Sequence, residues 1–403
     1  MGIRTVGLAG LAAARVIAGG LVGTATTAAA STPTPGDLFG VSCPTPSLCV
    51  AVGASPGPYQ NGVAQDTAII EEGIAGVWTT VAQPVPAPAD LEAVACPLVN
   101  SCFAVGTTGG FAVGTTGGAL IEHWDGGSWQ VMASPPPPAP DAGANLSAIS
   151  CAGPNDCLAV GSTNAPVTSL SLTGVLFTTI TRTPLAEKWN GTTWSVLAEP
   201  APTEGTFIGV SCPTTLWCDV IGDGANLSIP TGATGINLDV PFVLQEIAGL
   251  LVPEPGLPPS TALFGARLSD VDCAGLAPCL AVGYEILTNR GGARPYALEG
   301  FGPAWVATTP PPDPLGDVSC IGTQWCMALS SGQLSADAWN AGTWARTGGL
   351  SAPAGDVAEM RDVTCTSPSD CTAVGQSVPI GAIGTLYTVV DHWDGSTWTT
   401  VAS

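Results

Sequence analysis

The sequence predicts an all-β chain, a seven-bladed β-propeller of four-stranded antiparallel blades with one disulfide inside each blade. Three observations predict it. The fourteen cysteines form seven pairs with five residues between partners: Cys43/Cys49, Cys96/Cys102, Cys151/Cys157, Cys212/Cys218, Cys273/Cys279, Cys320/Cys326 and Cys365/Cys371. The segment around each pair repeats, from GVSCPTPSLCVAVG to DVTCTSPSDCTAVG, so one supersecondary unit is copied seven times. Gly (52) and Pro (37) are abundant while charged residues are 10% of the chain, a mix suited to short strands and tight turns.

The first thirty residues read as a secretory signal. Arg4 and Arg15 supply the positive region, VIAGGLVG (Val16 to Gly23) a short apolar core, and small residues around Ala30 a cleavage site. The apolar run is too short and Gly-rich for a membrane span. Residues 31–403 then form one propeller, with blades at about 38–83, 90–133, 145–198, 206–253, 267–309, 315–348 and 361–403. In an exported chain, cysteines paired at fixed spacing imply disulfides. Zinc sites use shorter gaps and four ligands, and histidines are not interspersed here.

One repeat reads as four strands, a to d. In the second, LEAVAC (Leu91 to Cys96) alternates as a half-buried strand should, and CFAVG (Cys102 to Gly106) follows a five-residue turn. ALIEHW (Ala119 to Trp124) and SWQVM (Ser128 to Met132) flank a DGG turn, and SPPPPAPD ends the pairing because proline cannot donate to a ladder. The cysteines close the a–b hairpin. Strand c carries an acid two residues before a Trp in EHWDGGSW, EKWNGTTW, DAWNAGTW and DHWDGSTW, starting at Glu122, Glu187, Asp337 and Asp391. Blade one keeps Glu71 and Trp78 at the same distance, blade five reads as one residue shorter from Glu299 to Trp305, and blade four has lost both Trp. Ten of twelve Trp fall in these hairpins, so they are expected to pack between blades.

These hairpins resemble the Asp-box turn of sialidase-type repeats, although Asp125 to Trp129 and Asp394 to Trp398 are four residues apart rather than five. The rhythm over residues 38–403 is similar to photosystem II assembly-factor-like repeats and to a group of secreted bacterial propellers. The resemblance implies the propeller fold; such repeats are structural and imply no activity.

A mature chain with 7 basic and 31 acidic residues has a net charge of 7 − 31 = −24, which disfavours nucleic acid and anionic membrane. Strand direction places the a–b and c–d turns on one face and the b–c loops and d–a connectors on the other. The second face varies, and binding usually sits on variable loops of a rigid scaffold. Its blade-three stretch, Ser162 to Pro184, is long and apolar and is expected to form an extra hairpin. The tandem copy Phe103 to Gly118 in blade two reads as sequence slippage that lengthens a loop. Arg182, Arg290 and Arg294 map to b–c loops and Arg267 and Arg361 to d–a connectors. With Tyr284 and Glu285 they are the candidate binding residues, either an anion-recognising patch or local ion pairs with carboxylates.

Catalytic signals are weak. His123 and His392 occupy one repeat position, which makes them scaffold residues, and the strand-c acids are spread around the ring rather than paired as a glycosidase requires. No cofactor is expected, since nucleotide, phosphate and haem motifs are missing, and GDGAN (Gly222 to Asn226) lacks full calcium-ligand spacing. The sequence points to a secreted, monomeric, non-catalytic scaffold that binds a protein or a cell-envelope glycan through its b–c/d–a face. The alternatives are a lectin using the acid-x-Trp of strand c as platform, or a sialidase-like glycoside hydrolase.

Overall fold

A computed structural model describes residues 33–60, 63–109, 117–138, 141, 143–170, 176–198, 204–226, 238–254, 257–258, 265–275, 278–287, 292–302, 304–309, 311–322, 324–382 and 384–401. The first thirty residues, read as a secretory signal, and Arg290 lie outside the described residues, as does the middle of the blade-two tandem copy. Seven four-stranded sheets are present, each ordered a-b-c-d. Blade one is Asp37–Thr45, Leu48–Ser55, Thr67–Ile74 and Val77–Val81. The six further a strands are Ala89–Leu98, Gly143–Gly153, Gly205–Thr214, Ala266–Asp272, Leu315–Ile321 and Asp356–Ser367. Among the described residues, no helix is long and apolar enough to cross a membrane.

All seven disulfides form within blades, from Cys43–Cys49 in the first to Cys365–Cys371 in the last, with Cα atoms 3.9–4.2 Å apart and no free cysteine. The pairs Cys151/Cys157, Cys320/Cys326 and Cys365/Cys371 stand directly opposite across the hairpin. The Cys212–Cys218 bridge of blade four has the same Cα separation, 4.1 Å, and lies in the apolar cluster between blades three and four. The repeated glycine of strand b has a steric cause. Strand a carries a β-bulge at the same place in all seven blades. The bulge drives a strand-a carbonyl against strand b: a Cβ on Gly53, Gly106 or Gly375 would lie 1.9–2.0 Å from the oxygen of Asp37, Asp90 or Glu359. At those glycines no side chain larger than hydrogen fits, whereas blade six accommodates Ser330 at the same register position.

The core is seven apolar clusters, each spanning one junction between consecutive blades. The Trp residues lie in them as expected. Trp189, Trp339 and Trp393 are buried, and Trp124 is half-buried. Each c-strand Trp meets its d-strand partner, with ring centroids 5.1–6.0 Å apart in four blades. Two turn chemistries close these hairpins. In blades two, three and seven, Asp125, Asn190 and Asp394 Oδ1 accept two backbone N–H bonds each at 2.8–3.0 Å. Blades one, four and six instead use Ala75-Gly76, Ala248-Gly249 and Ala341-Gly342, both residues at positive φ, as a two-residue type I′ turn requires.

Pairing corrects one strand-c assignment. Gly300 opposes Trp305 just as Trp124 opposes Trp129, so blade five is not shorter. Its acid position holds buried Leu298, and Glu299 sits one residue on, facing the other side of the sheet.

The ring closes by packing Leu38, Val41 and Trp78 of blade one against Val374 and Val390 of blade seven, with no strand shared between sheets. The segment before strand a adds a small tie: Gly36 N donates to Leu386 O at 3.0 Å and Thr388 N to Thr34 O at 2.9 Å. Replacing Cys151 and Cys157 together by Ala should lower unfolding free energy by about 2 kcal/mol, the loop-closure entropy of so short a ring. Denaturant melts should register it, and thiol titration of unfolded wild-type protein should find no free cysteine.

Candidate functional site

The seven a strands enclose a cavity of about 430 Å3 along the ring axis. Its lining follows from the bulge, whose extra residues (Phe39, Glu92, Ser147, Ile208, Ser269, Gly316 and Arg361) face it. The next position holds Asp in three successive blades, Asp270, Asp317 and Asp362.

Most of these polar groups are committed to joining blades. The Oγ of Ser42, Ser150, Ser211 and Ser319 accepts the cysteine N–H of the next blade's strand a, from Cys96, Cys212, Cys273 and Cys365, at 2.9–3.0 Å. Asp272 Oδ2 does the same for Cys320 N at 2.7 Å. A second tier runs beside the first: Asp270, Asp317 and Asp362 Oδ2 accept from Val318, Val363 and Val41 N at 3.1, 2.7 and 2.6 Å. Strand a is the innermost strand, so its channel-side N–H groups have no further strand to bond; side chains of the preceding blade satisfy them.

Crowding these carboxylates shifts their titration. Burial and then the charges of Asp362 and Asp270 push Asp317 well above the usual carboxylate range. Asp270 is pushed up to about 8 and Asp362 to about 6, burial dominating in both. Burial, then Asp90 and Asp37, raises Glu92 to about 7, against the pull of Arg361. The strand-c acids form a second buried set. Glu71, Glu122, Glu187, Asp337 and Asp391 are all fully buried. Burial takes Glu122 and Glu187 to about 7. Ser134 Oγ, from the connector before blade three, donates to Glu187 at 3.0 Å, and Ser351 N likewise donates to Asp391 at 2.6 Å. Glu187 and Asp391 thus clamp the incoming connector.

Four of the seven sequence-predicted binding residues meet on blade five, where Arg267 stands opposite Tyr284 and Glu285 opposite Arg294; Arg182 and Arg361 lie on blades three and seven. Arg267 and Arg361 lie inside strand a rather than in connectors, because strand a begins before them, at Ala266 and Asp356. Arg267 Nε pairs with Asp223 at 3.0 Å. Arg361 bridges Asp37 at 3.1 Å and Glu359 at 2.9 Å in the channel mouth. Arg294, at the start of strand c, is paired with buried Glu285, and half-buried Tyr284 precedes that acid on strand b. Arg182 is exposed on strand c of blade three, opposite Asn164. Three of the arginines thus hold separate carboxylates.

The cysteines belong to the scaffold and not to a ligand-accessible surface. Cys218 is buried against Leu158, Val160 and Ala186 of blade three, because its strand-b position faces the junction with the preceding blade. Cys102, Cys157, Cys279 and Cys371 are equally buried at their own junctions.

The sequence reading does not single out the channel acids, though their signal is there: SDVDC, GDVSC and RDVTC place Asp three residues before the first cysteine in blades five to seven. Asp219, buried in strand b of blade four beside Cys218, lies 3.1 Å from the Sγ of Cys279 and 3.8 Å from that of Cys273. Those sulfurs form a disulfide, so the group has no thiolate ligands to offer a metal.

No protein-family model matches the chain, and no curated protein matches it. Among solved structures it is similar to YCF48 bound to D1 peptide, with TM-score 0.51 and 13% identity over 87% of this chain and 95% of that one. It is also similar to YCF48 from Cyanidioschyzon merolae, with TM-score 0.50 and 13% identity over 89% and 97%. An ulvan lyase bound to a GlcA–Rha3S fragment aligns with TM-score 0.46 and 10% identity over 91% and 94%. At such identities the likeness is one of fold.

Carboxyls whose folded pKa is raised favour the folded state while protonated. Their contribution is full below the unfolded value near 4 and is lost as pH climbs through the folded values, here about 6 to about 8. Thermal melts should therefore show stability rising as pH falls from about 8 toward about 5. In Asp270→Asn/Asp317→Asn, which keeps the acceptor oxygens and removes the charges, that slope should flatten; a slope equal to wild type would count against the channel acids as its source.

Proposed function

We propose that the chain is a secreted, non-catalytic propeller that holds a protein or cell-envelope ligand on the face built by its b–c loops and d–a connectors. The observation that carries this is the blade-three arm. Strands b (Asp156–Leu170) and c (Leu176–Trp189) pair without interruption from Cys157–Trp189 to Leu170–Leu176. Strand a stops pairing at Asn164 and strand d reaches only Glu187. From Ala165 to Thr181 the hairpin therefore runs on alone, and six residues of strand extend it by roughly 20 Å. A two-stranded ribbon is marginal by itself in water, which favours a partner along it. The stretch from Ala165 to Thr181 holds no charged residue in a chain otherwise strongly acidic, and Leu176 and Ile180 are exposed on it.

Three further points support the reading. The channel carboxylates are occupied as inter-blade acceptors, which leaves them poorly suited to act as a free acid/base pair. Burial of Trp189, Trp339 and Trp393 weighs against the lectin alternative, whose platform must face solvent. Seven disulfides fit an oxidising compartment, as secretion would provide. YCF48 in complex with the D1 peptide is an instance of this fold holding a peptide.

Wild-type protein should co-sediment with a cell-envelope fraction. A variant with residues 166–181 replaced by an Asn-Gly turn should keep its melting temperature within a few degrees and bind at least ~10-fold more weakly, the scale of a lost interface anchor. Equal binding by the arm-less variant would remove the arm, and with it the basis of this reading.

A further inference from the structure

We propose that the cavity between blades seven and one is a binding site for an indole-type aromatic ring. It lies on the a–b/c–d turn face, opposite the arm, and does not depend on the function proposed above. In blades two, three, six and seven the strand-b cysteine stands opposite a c-strand Trp: Cys102–Trp124, Cys157–Trp189, Cys326–Trp339 and Cys371–Trp393. In blade one, Cys49 stands opposite Gly73.

Each such Trp leans on the preceding blade. Trp189 packs on Phe103, ring centroids 6.0 Å apart, and Phe103 stacks on His123 at 4.4 Å. Thr372 and His392 occupy the places of Phe103 and His123 in blade seven, as their pairing shows. With Gly73 across from them, a cavity of about 320 Å3 opens, lined also by Trp78, Thr399 and Val401. That size is at the small end of ligand pockets.

The other junctions put a side chain where Gly73 has none. Blade four has Glu246 opposite Cys218, and it pairs with Lys188 of blade three at 3.0 Å. Blade five has Gly300, but Trp217 of blade four is buried in the same cluster as Trp305. At the blade-one junction Trp78 tilts over its glycine as Trp305 does over Gly300, a Cβ on Gly73 lying 2.6 Å from Trp78 Cε2, but the preceding blade has Asp370 at the place of Trp217. The cavity thus presents the face of an indole on one side and Val390 and Val401 on another. Asp370 Oδ1 holds His392 Nε2 at 2.8 Å, fixing the imidazole at its rim. The hydroxyls of Thr372 and Thr399 offer acceptors to a ring N–H. In blades three and seven the c-strand Trp donates its Nε1–H to Pro154 O and Pro368 O at 3.2 Å, and Pro46, at the same place in the a–b turn of blade one, lines the cavity.

The test uses the full, disulfide-intact protein titrated with 3-methylindole and, in parallel, with Gly-Trp-Gly, which separate a free small molecule from a side chain of a partner segment. Saturable one-to-one binding of either is expected, with Kd on the order of 1 mM or tighter. NMR cross-relaxation should connect the ring to the methyls of Val390 and Val401. Thr399→Trp, which fills the cavity from strand d of blade seven, should weaken binding at least ~10-fold. Should that variant fail to fold, the wild-type cross-relaxation decides alone. No saturable binding of either probe, binding without contact to blades one and seven, or unchanged affinity in folded Thr399→Trp would overturn the proposal.

Discussion

The unsatisfied edge of strand a is the constraint on which the rest depends. In a four-stranded blade, strand a pairs with strand b on one side and faces the ring axis on the other. Its axial N–H groups then need acceptors, because an unpaired backbone donor is costly wherever water is restricted. The chain answers with a Ser or Asp side chain from the preceding blade at successive junctions, Ser42 to Cys96 N and Asp317 to Val363 N among them. The bulge in every a strand makes this reach geometrically available, and in six blades a strand-b glycine accommodates it, with Ser330 at that place in blade six. Disulfide and bulge recur in all seven blades; a side-chain cap joins six of the seven junctions, and Ala95 stands at the Ser42 position before blade three.

That solution also governs where function can sit. A channel whose carboxylates cap backbone amides is a poor place for acid/base chemistry, because each deprotonation would loosen the ring. Variation is instead tolerated where the cap and the Trp pairs are not involved. The b–c segment of blade three extends freely into an arm, since neither strand a nor strand d follows it outward. The opposite case is Gly73, where a repeat element is missing and Trp78 tilts over the glycine beside a cavity.

Much of this is legible in the sequence, and the reasons are physical. Cysteines at constant spacing meet across a hairpin, so strands a and b and all seven disulfides follow from the repeat. The acid-x-Trp repeat marks strands c and d, and its regularity marks the Trp as packing residues. Legibility fails where one extra residue matters. The bulge is invisible to an alternating pattern, which starts strand a late in blades five and seven and so puts Arg267 and Arg361 in connectors. The same one-residue blindness puts Glu299 at the acid position that Leu298 occupies. Channel Asp residues look like ordinary turn-flanking acids until the ring brings Asp270, Asp317 and Asp362 side by side. Blade one reads as intact because Glu71 and Trp78 keep their distance; the missing Trp shows only when register sets Gly73 opposite Cys49.

Native-state hydrogen exchange at the channel amides tests the central claim most directly. Cys96, Cys212, Cys273, Cys320 and Cys365 N–H, with Val41, Val318 and Val363, have no backbone partner in their own sheet on that side and rely on side-chain acceptors across the blade junctions. If the caps join the ring into one cooperative unit, these amides should exchange as slowly as the mid-strand amides of strand b, through global opening. Exchange at the rate of the exposed c–d turn amides would show that the caps do not hold the ring, and would contradict the account.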